Sequence, residues 1–317
     1  MKDTYSNIFS FNKKILGKTI KVLNQGSAVG LPTETVYGLA GNAYSKNSIN
    51  RIYKLKKRPK LNPLIVHYYD YKKALNDVIL NENFFKLYKK FCPGPITFIL
   101  KKKILSKIHP LACAKLDTVA VRFPKHKIVR AILKNLKFPL AMPSANISSC
   151  ISPVSAFDVY DEFNNSISLI VNGGSSKIGI ESTVIDLTSV PKILRPGIID
   201  AVKIEKILCT KLKKDKIKSK IKSPGMFKKH YSPGIPVLIN QTKYDNKSAY
   251  VYLGKKYGRN KNFFSLSINS NLNEAASKLY KTFREIKRQG FKKIQIAKIP
   301  SKGPGIAIND RIKRAAN

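Results

Sequence analysis

Chemistry-bearing side chains crowd into residues 30–67 of this chain. The segment opens Gly-Leu-Pro-Thr-Glu-Thr-Val-Tyr-Gly at 30–38 and ends Lys56-Lys-Arg-Pro-Lys-Leu-Asn-Pro-Leu-Ile-Val-His67. The first part offers two hydroxyls, Thr33 and Thr35, a carboxylate, Glu34, and glycines close by. Polar groups clustered where a strand ends suit a ligand crevice. The second part sets Lys56 and Arg58 beside a Pro-x-x-Asn-Pro turn. A helix C-terminus is negative, so its dipole cannot hold an anion there. Any phosphate must be held by the side chains themselves, arginine as a fork and lysine as a point charge. A solvated basic patch is the competing reading of the same pair.

The elements that position these groups follow from local pattern. Ser27–Leu31 is a short apolar run stopped by Pro32, as a strand entering a loop would be. The spacing predicts a helix over 46–57: Ser45 is suited to the N-cap, and Ile49, Ile52 and Tyr53 recur at helical intervals. Lys56 continues that buried stripe as a cation, and Pro59 ends the helix. Further on, residues 118–123 read as a strand that turns Arg122 to the same side as Thr118 and Ala120. A buried arginine needs a counter-anion, and a structural carboxylate is one candidate. Ser144 and Asn146 sit in Pro143-Ser-Ala-Asn-Ile-Ser148, which is either a polar strand end or a plain turn.

These pieces resemble the YrdC-like domain of threonylcarbamoyl-AMP synthases. The matching runs are Pro-Thr-Glu-Thr-Val-Tyr-Gly-Leu at 32–39, the Lys56/Arg58 pair, Asn62-Pro-Leu-Ile-Val-His67, Ser144-Ala-Asn146, Glu181-Ser-Thr183 and Leu194-Arg-Pro-Gly197. Pro224-Gly-Met226 and His230-Tyr-Ser-Pro233 extend the likeness across nearly the whole chain. The resemblance implies that L-threonine and bicarbonate give a carbamate that attacks the α-phosphate of ATP. Threonylcarbamoyl-AMP and pyrophosphate result, the former feeding a tRNA modification. It implies catalytic roles for Lys56 and Arg58. ATP would lie against Lys56, Arg58, Asn62, Thr118, Ser144, Asn146, Ser152, Arg195 and Tyr231. Threonine would lie against Thr35, His67, Arg122, Met142 and Ser182, with Arg122 facing its carboxylate. Mg²⁺ would come with the ATP, without a dedicated protein cage. One departure from the family pattern stands at Ser149, where a glycine is usual; a positive φ there would strain the serine.

The wider chain alternates strands and helices. Helical stripes are expected at 10–25, 84–91 and 126–137, and strands at 63–68, 96–100, 139–142, 169–171, 183–187 and 192–195. The expected fold is an α/β, YrdC-like domain with a twisted mixed sheet over 1–207, a linker or lid over 208–235, and a small Rossmann-like α/β domain over 236–317. In the linker, nine of nineteen residues from Lys211 to Lys229 are lysine, which cannot build a core. Its second half brings Met226, Phe227, His230 and Tyr231 between prolines, as a segment that folds over an active site would. In the last domain, Leu272, Ala275, Ala276, Leu279, Phe283 and Ile286 share one helical face closed by Gly290.

Composition narrows the class. The net charge is +42, but fifty lysines and only ten arginines carry the positive side, spread along the whole chain. Phosphate-reading surfaces favour arginine forks, so a general lysine bias competes with a nucleic-acid partner as the cause. A transient tRNA or tRNA-modification protein remains a possible partner, and a basic RNA-binding protein using the same cavity is the alternative function. A carbamoyl-transferring maturation enzyme is disfavoured, because acylphosphatase and zinc-finger modules are not seen. Cys92, Cys113, Cys150 and Cys209 are too scattered for a zinc site. No run of 18 apolar residues suggests a membrane span, and the N-terminus lacks a signal-like core, so the cytoplasm is expected. Gly17-Lys18-Thr19 lacks the earlier glycine of a P-loop and reads as first-helix surface.

Overall fold

Apolar strands and one-sided helices build two sheets in the computed structural model, which describes residues 5–213, 230–255 and 261–316. The larger unit runs β1 (Ile8–Ser10), α1 (Lys13–Asn24), β2 (Val29–Leu31), β3 (Gly38–Asn42), α2 (Lys46–Lys56), β4 (Ile65–His67), α3 (Tyr71–Ala74), α4 (Glu82–Phe91) and β5 (Ile96–Lys101). It continues β6 (Thr118–Arg122), α5 (Lys127–Asn135), β7 (Leu140–Ala141), α6 (Ala156–Phe163), β8 (Ile170–Asn172), β9 (Thr183–Asp186), β10 (Lys192–Arg195) and α7 (Ala201–Leu208). Its sheet is mixed, in the order β1-β8-β2-β3-β7-β4-β6-β5-β9-β10. The smaller unit holds β11 (Val237–Leu238), β12 (Ala249–Tyr252), β13 (Phe263–Ser265), α8 (Leu272–Arg288), β14 (Ile294–Ile296) and α9 (Pro304–Ala315). Its strands pair in the order β11-β14-β12-β13, every described pair parallel. The expected α/β class and mixed sheet are present, and the small C-terminal α/β unit carries a parallel sheet.

Local chemistry explains the element ends. Ser45 caps α2, its Oγ accepting the Ser48 N–H at 3.3 Å, and Lys57 closes the helix with φ 48° before Pro59. Ile49, Ile52 and Tyr53 bury the stripe that the spacing predicts, and Lys56 is buried with them. Gly290 follows α8 with φ 84°, a left-handed stop suited to glycine.

Several features escaped the sequence. β3 lies where a loop is expected, because Gly-Leu-Ala-Gly carries little strand propensity and is held by pairing on both sides, to β2 and β7. A Cβ at Gly38 would run into the Met142 side chain just past β7, so glycine leaves room for that side chain over β3. The short strands β1 and β13 and the helix α6 also went unread. Thr19 is not surface: it is buried in α1, its hydroxyl donating to the Ile15 carbonyl at 2.7 Å. The lysine-rich run and Pro224, Gly225, Met226 and Phe227 of the expected lid lie in 214–229, outside the described residues, apart from Lys211, Leu212 and Lys213.

Candidate active site

A cavity opens where the loop after β2, the ends of β4, β6 and β10, and residues 230–231 converge. The parallel pair β4–β6 is its ruler. His67 pairs with Arg122 at one end. Continuing that register by two residues beyond Ile65–Ala120 would set Pro63 beside Thr118 at the other. A strand rises about 3.3 Å per residue, so the two ends stand about 13 Å apart, an extended small molecule's length.

At the His67 end, Arg122 is buried and its Nη2 donates to Glu34 Oε1 at 2.7 Å. The structural carboxylate left open by the sequence is therefore Glu34. Its second oxygen accepts the Lys125 N–H at 3.1 Å. Burial alone would raise the Glu34 carboxyl, but the Arg122 guanidinium outweighs it and holds the group below the usual range. Arg122 Nε has no partner among the described residues, so the arginine keeps a donor for a second anion. Burial, then the Arg122 charge, drives the His67 imidazole well below its usual pKa, so the ring is neutral. Its Nδ1 lies 3.1 Å from the Ile65 carbonyl. Thr33 and Thr35 share a 2.9 Å hydroxyl contact that shapes the loop, and Thr33, not Thr35, lines the cavity.

At the other end cations gather. Lys56 is 1% exposed and Arg58 8% exposed. Lys56 Nζ donates to the Ser144 and Asn146 carbonyls, each at 2.5 Å. Arg58 donates to the Asn62 carbonyl, the Asn62 Oδ1 and the Pro63 carbonyl at 3.0, 2.5 and 2.8 Å. Among the described residues neither cation has a carboxylate partner. Burial, with Arg58 adding repulsion, lowers the Lys56 pKa well below its ordinary value. Burial likewise brings Arg58 down to about 10. Arg195 reaches the same cavity from β10, its Nε and Nη2 donating to the Ser182 carbonyl and hydroxyl, each at 3.1 Å.

The structure thus brings Arg58, His67, Arg122, Met142, Ser144, Arg195 and Tyr231 to the cavity wall. Thr35, Lys56, Asn62, Asn146, Ser152 and Ser182 stand behind it, buried. Ser182 Oγ is 2.7 Å from Thr97 Oγ1, and Ser152 Oγ donates to Glu181 Oε1 at 2.5 Å. Thr118 Oγ1 and Asn146 Oδ1 are buried without partners among the described residues, as is Tyr231 OH. Ser149 adopts φ 72°, the strain that the missing glycine predicted, and its carbonyl accepts the Ser232 N–H at 2.8 Å.

Sequence reading missed Glu181, Tyr280 and Arg311 as neighbours of the site. For Arg311 a signal existed: it falls on the apolar stripe Ile308, Ile312, Ala315 of α9, where a charge is out of place. The cavity itself offers about 40 Å³. A roomier cleft of about 240 Å³ beside β14 is lined mainly by aliphatic side chains and lysines. The smaller cavity is the better candidate because buried cations and unpartnered polar atoms converge on it.

Comparison with known proteins fits this geometry. Residues 21–197 match a family described as "Telomere recombination", and residues 199–317 match "Threonylcarbamoyl-AMP synthase, C-terminal domain". The chain is 35% identical to a threonylcarbamoyl-AMP synthase of Pyrococcus abyssi, over 93% of this chain and 92% of that one. A Bacillus subtilis protein of the same name is 32% identical over 97% and 94% of the two chains. The crystal structure of P. abyssi Sua5 complexed with L-threonine superposes with a TM-score of 0.88 at 31% identity, covering 98% of this chain and 97% of that one. Escherichia coli YciO shares the fold of the larger unit, with a TM-score of 0.56 over 63% of this chain and 99% of that one.

Proposed function

The chain belongs to the threonylcarbamoyl-AMP synthase family, and from that premise we propose how its own residues serve the reaction. L-Threonine and bicarbonate form a carbamate with loss of water. A carbamate oxygen then attacks the α-phosphorus of ATP, the bond to the bridging oxygen breaks, and pyrophosphate leaves. Mg²⁺ would come with the nucleotide substrate and would offset part of its phosphate charge, without a dedicated protein cage. The product serves tRNA modification, which sets its work in the cytoplasm beside other modification proteins.

One observation carries this reading: two buried cations, Lys56 and Arg58, are held by carbonyl and amide oxygens without a carboxylate partner among the described residues. Such a site is costly when empty and strongly favours a polyanion. Arg195 adds a third positive group at the leaving side. Some 13 Å along the strands, Arg122 with its unpartnered Nε suits the threonine carboxylate, while neutral His67 and Met142 border the remainder of that end. No side-chain nucleophile is required, because the carbamate supplies the attacking oxygen. The protein's work is to place two anionic reactants in line and neutralise charge developing on phosphate.

The test is incubation with ATP, Mg²⁺, bicarbonate and each amino acid in turn, with pyrophosphate and the adenylate both measured. Threonine-dependent release is expected, with serine about 10–200-fold poorer for want of one methyl contact. Equal release without an amino acid, or with all of them, would refute the assignment.

A further inference from the structure

Three parts of the cavity wall share one contact outside the larger unit. The guanidinium of Arg311, on α9, is fully buried. Its Nε donates to Glu181 Oε2 at 2.8 Å and its Nη2 to the Pro196 carbonyl at 2.9 Å. Its Cζ lies 5.1 Å from the centre of the Tyr231 ring. Glu181 precedes β9, Pro196 directly follows Arg195, and Tyr231 closes the cavity from above. Tyr280 of α8 completes the arrangement, its hydroxyl donating to Glu181 at 3.1 and 3.2 Å and its ring stacking on Tyr231 at 5.8 Å. The same loop meets α8 backbone to backbone: a Cβ at Gly179, whose φ is 76°, would come within 2.6 Å of Ser277.

We propose that Arg311 is a positioning residue for the nucleotide side of the site, so that the C-terminal domain supplies part of the active centre. The reasoning is one of charge. Glu181 is a buried carboxylate in a wall meant for a polyanion, beside Arg195. Left alone, it would repel phosphate and draw Arg195 to itself. Arg311 neutralises it from the far side and pins the Pro196 corner with the other arm of its fork, a double reach that a lysine point charge lacks. Its cationic face under the Tyr231 ring holds the ring over the cavity. Burial raises the Glu181 carboxyl, yet Arg311 and then Arg195 bring it down to about 2, consistent with a permanently ionised, permanently paired group.

This inference rests on the nucleotide reading above, so its test reads nucleotide binding apart from turnover. In the full-length chain, Arg311→Met, Arg311→Lys and the double variant Arg311→Met/Glu181→Gln are compared with Glu181→Gln and wild type. The readouts are affinity for a non-hydrolysable ATP analogue, KM for ATP and for threonine, and the thermal midpoint. Arg311→Met leaves a buried charge unpaired and is expected to weaken the analogue about tenfold or more while the threonine KM stays within about twofold. Arg311→Lys should fall between, and the double variant should regain most of the affinity because the Arg311–Glu181 pair is gone while Asp310, which also accepts from Arg311 Nη1 at 2.7 Å, keeps Arg314 as a partner. The double variant decides the matter even if Arg311→Met does not fold. A double variant as weak as Arg311→Met, or losses spread equally over ATP and threonine, would overturn the proposal in favour of a merely structural tie. Wild type that binds the analogue but releases no threonine-dependent pyrophosphate overturns the reaction instead, and leaves this inference supported on binding alone.

Discussion

Replacing Arg58 with methionine should separate nucleotide binding from stability. In the empty chain Arg58 is a buried cation that faces Lys56 and Arg195, both of like charge. Its removal forfeits three hydrogen bonds to Asn62 and Pro63. It also relieves the desolvation and repulsion of a charge without a carboxylate partner. These terms oppose each other, so the empty protein's midpoint should shift little. Nucleotide binding has no such offset. One charge-assisted contact to phosphate contributes about 1.5–3 kcal/mol, so affinity should fall about 10–150-fold. At a nucleotide concentration of about a hundred times Kd, wild type gains about 2.7 kcal/mol from the ligand, and a thirtyfold weaker variant only about 0.9 kcal/mol. With about 2–4 °C per kcal/mol, the ligand-induced rise in midpoint should drop from about 5–11 °C to about 2–4 °C. Thermal melts with and without Mg·ATP measure both quantities at once. An unchanged ligand-induced rise would refute the phosphate role. A collapse of the empty protein's midpoint would instead make Arg58 a structural tie to the Asn62–Pro63 turn.

Lys56 carries the pH dependence: burial depresses its folded pKa below the unfolded 10.5, so the folded chain binds fewer protons there. Its penalty is therefore full below the folded pKa, and stability rises with pH between that value and 10.5. A bound polyanion reverses the shift, so calorimetry in two buffers of different ionisation enthalpy should show proton uptake with ATP near the folded pKa, and zero uptake across that window counts against it. Ser149→Gly should stabilise the chain by about 0.5–1 kcal/mol, because the backbone sits at φ 72° where a side chain is strained and glycine is not. Chemical denaturation reads that gain, and a loss of stability would show that the serine side chain has a compensating role.

Much of the fold was legible because local pattern and tertiary demand agree. α2 shows this best, since cap, stripe and proline stop all lie within fifteen residues. β3 was illegible for the opposite reason: a side chain at its Gly38 would meet Met142, a contact made with a residue a hundred positions away. The site divides in the same way. Lys56 announced itself as a cation on a buried stripe and Arg122 as one on an apolar strand, whereas Arg58, past the helix end, could equally be read as a solvated patch. Glu34 as the partner of Arg122 joins the loop after β2 to the end of β6, 88 residues apart, and no spacing rule predicts it. Arg311 lies further still, 130 residues from Glu181, in a domain whose own sequence offers no catalytic cluster.

The cavity offers about 40 Å³ and is bordered on one side by residues 230–231. The strap at His230–Tyr231 lines it, with Tyr231 only 1% exposed. Burial brings His230 to a pKa of about 3, so the strap presents a neutral imidazole to the cations below and adds no charge of its own. The strap's backbone is tied to the rest of the chain by the His230 N–H on the Arg314 carbonyl at 3.1 Å and the Ser232 N–H on Ser149 at 2.8 Å. Each bond is worth about 1 kcal/mol net, an amount that nucleotide entering a site of buried cations can offset. A strap folded over the reactants would matter chemically, because a carbamate and a mixed anhydride both react with water. The ties lead to α9 on one side and to the strained Ser149 loop on the other. The strap is thus anchored beside the two places where this chain departs from plain packing, the buried Arg311 and the left-handed Ser149.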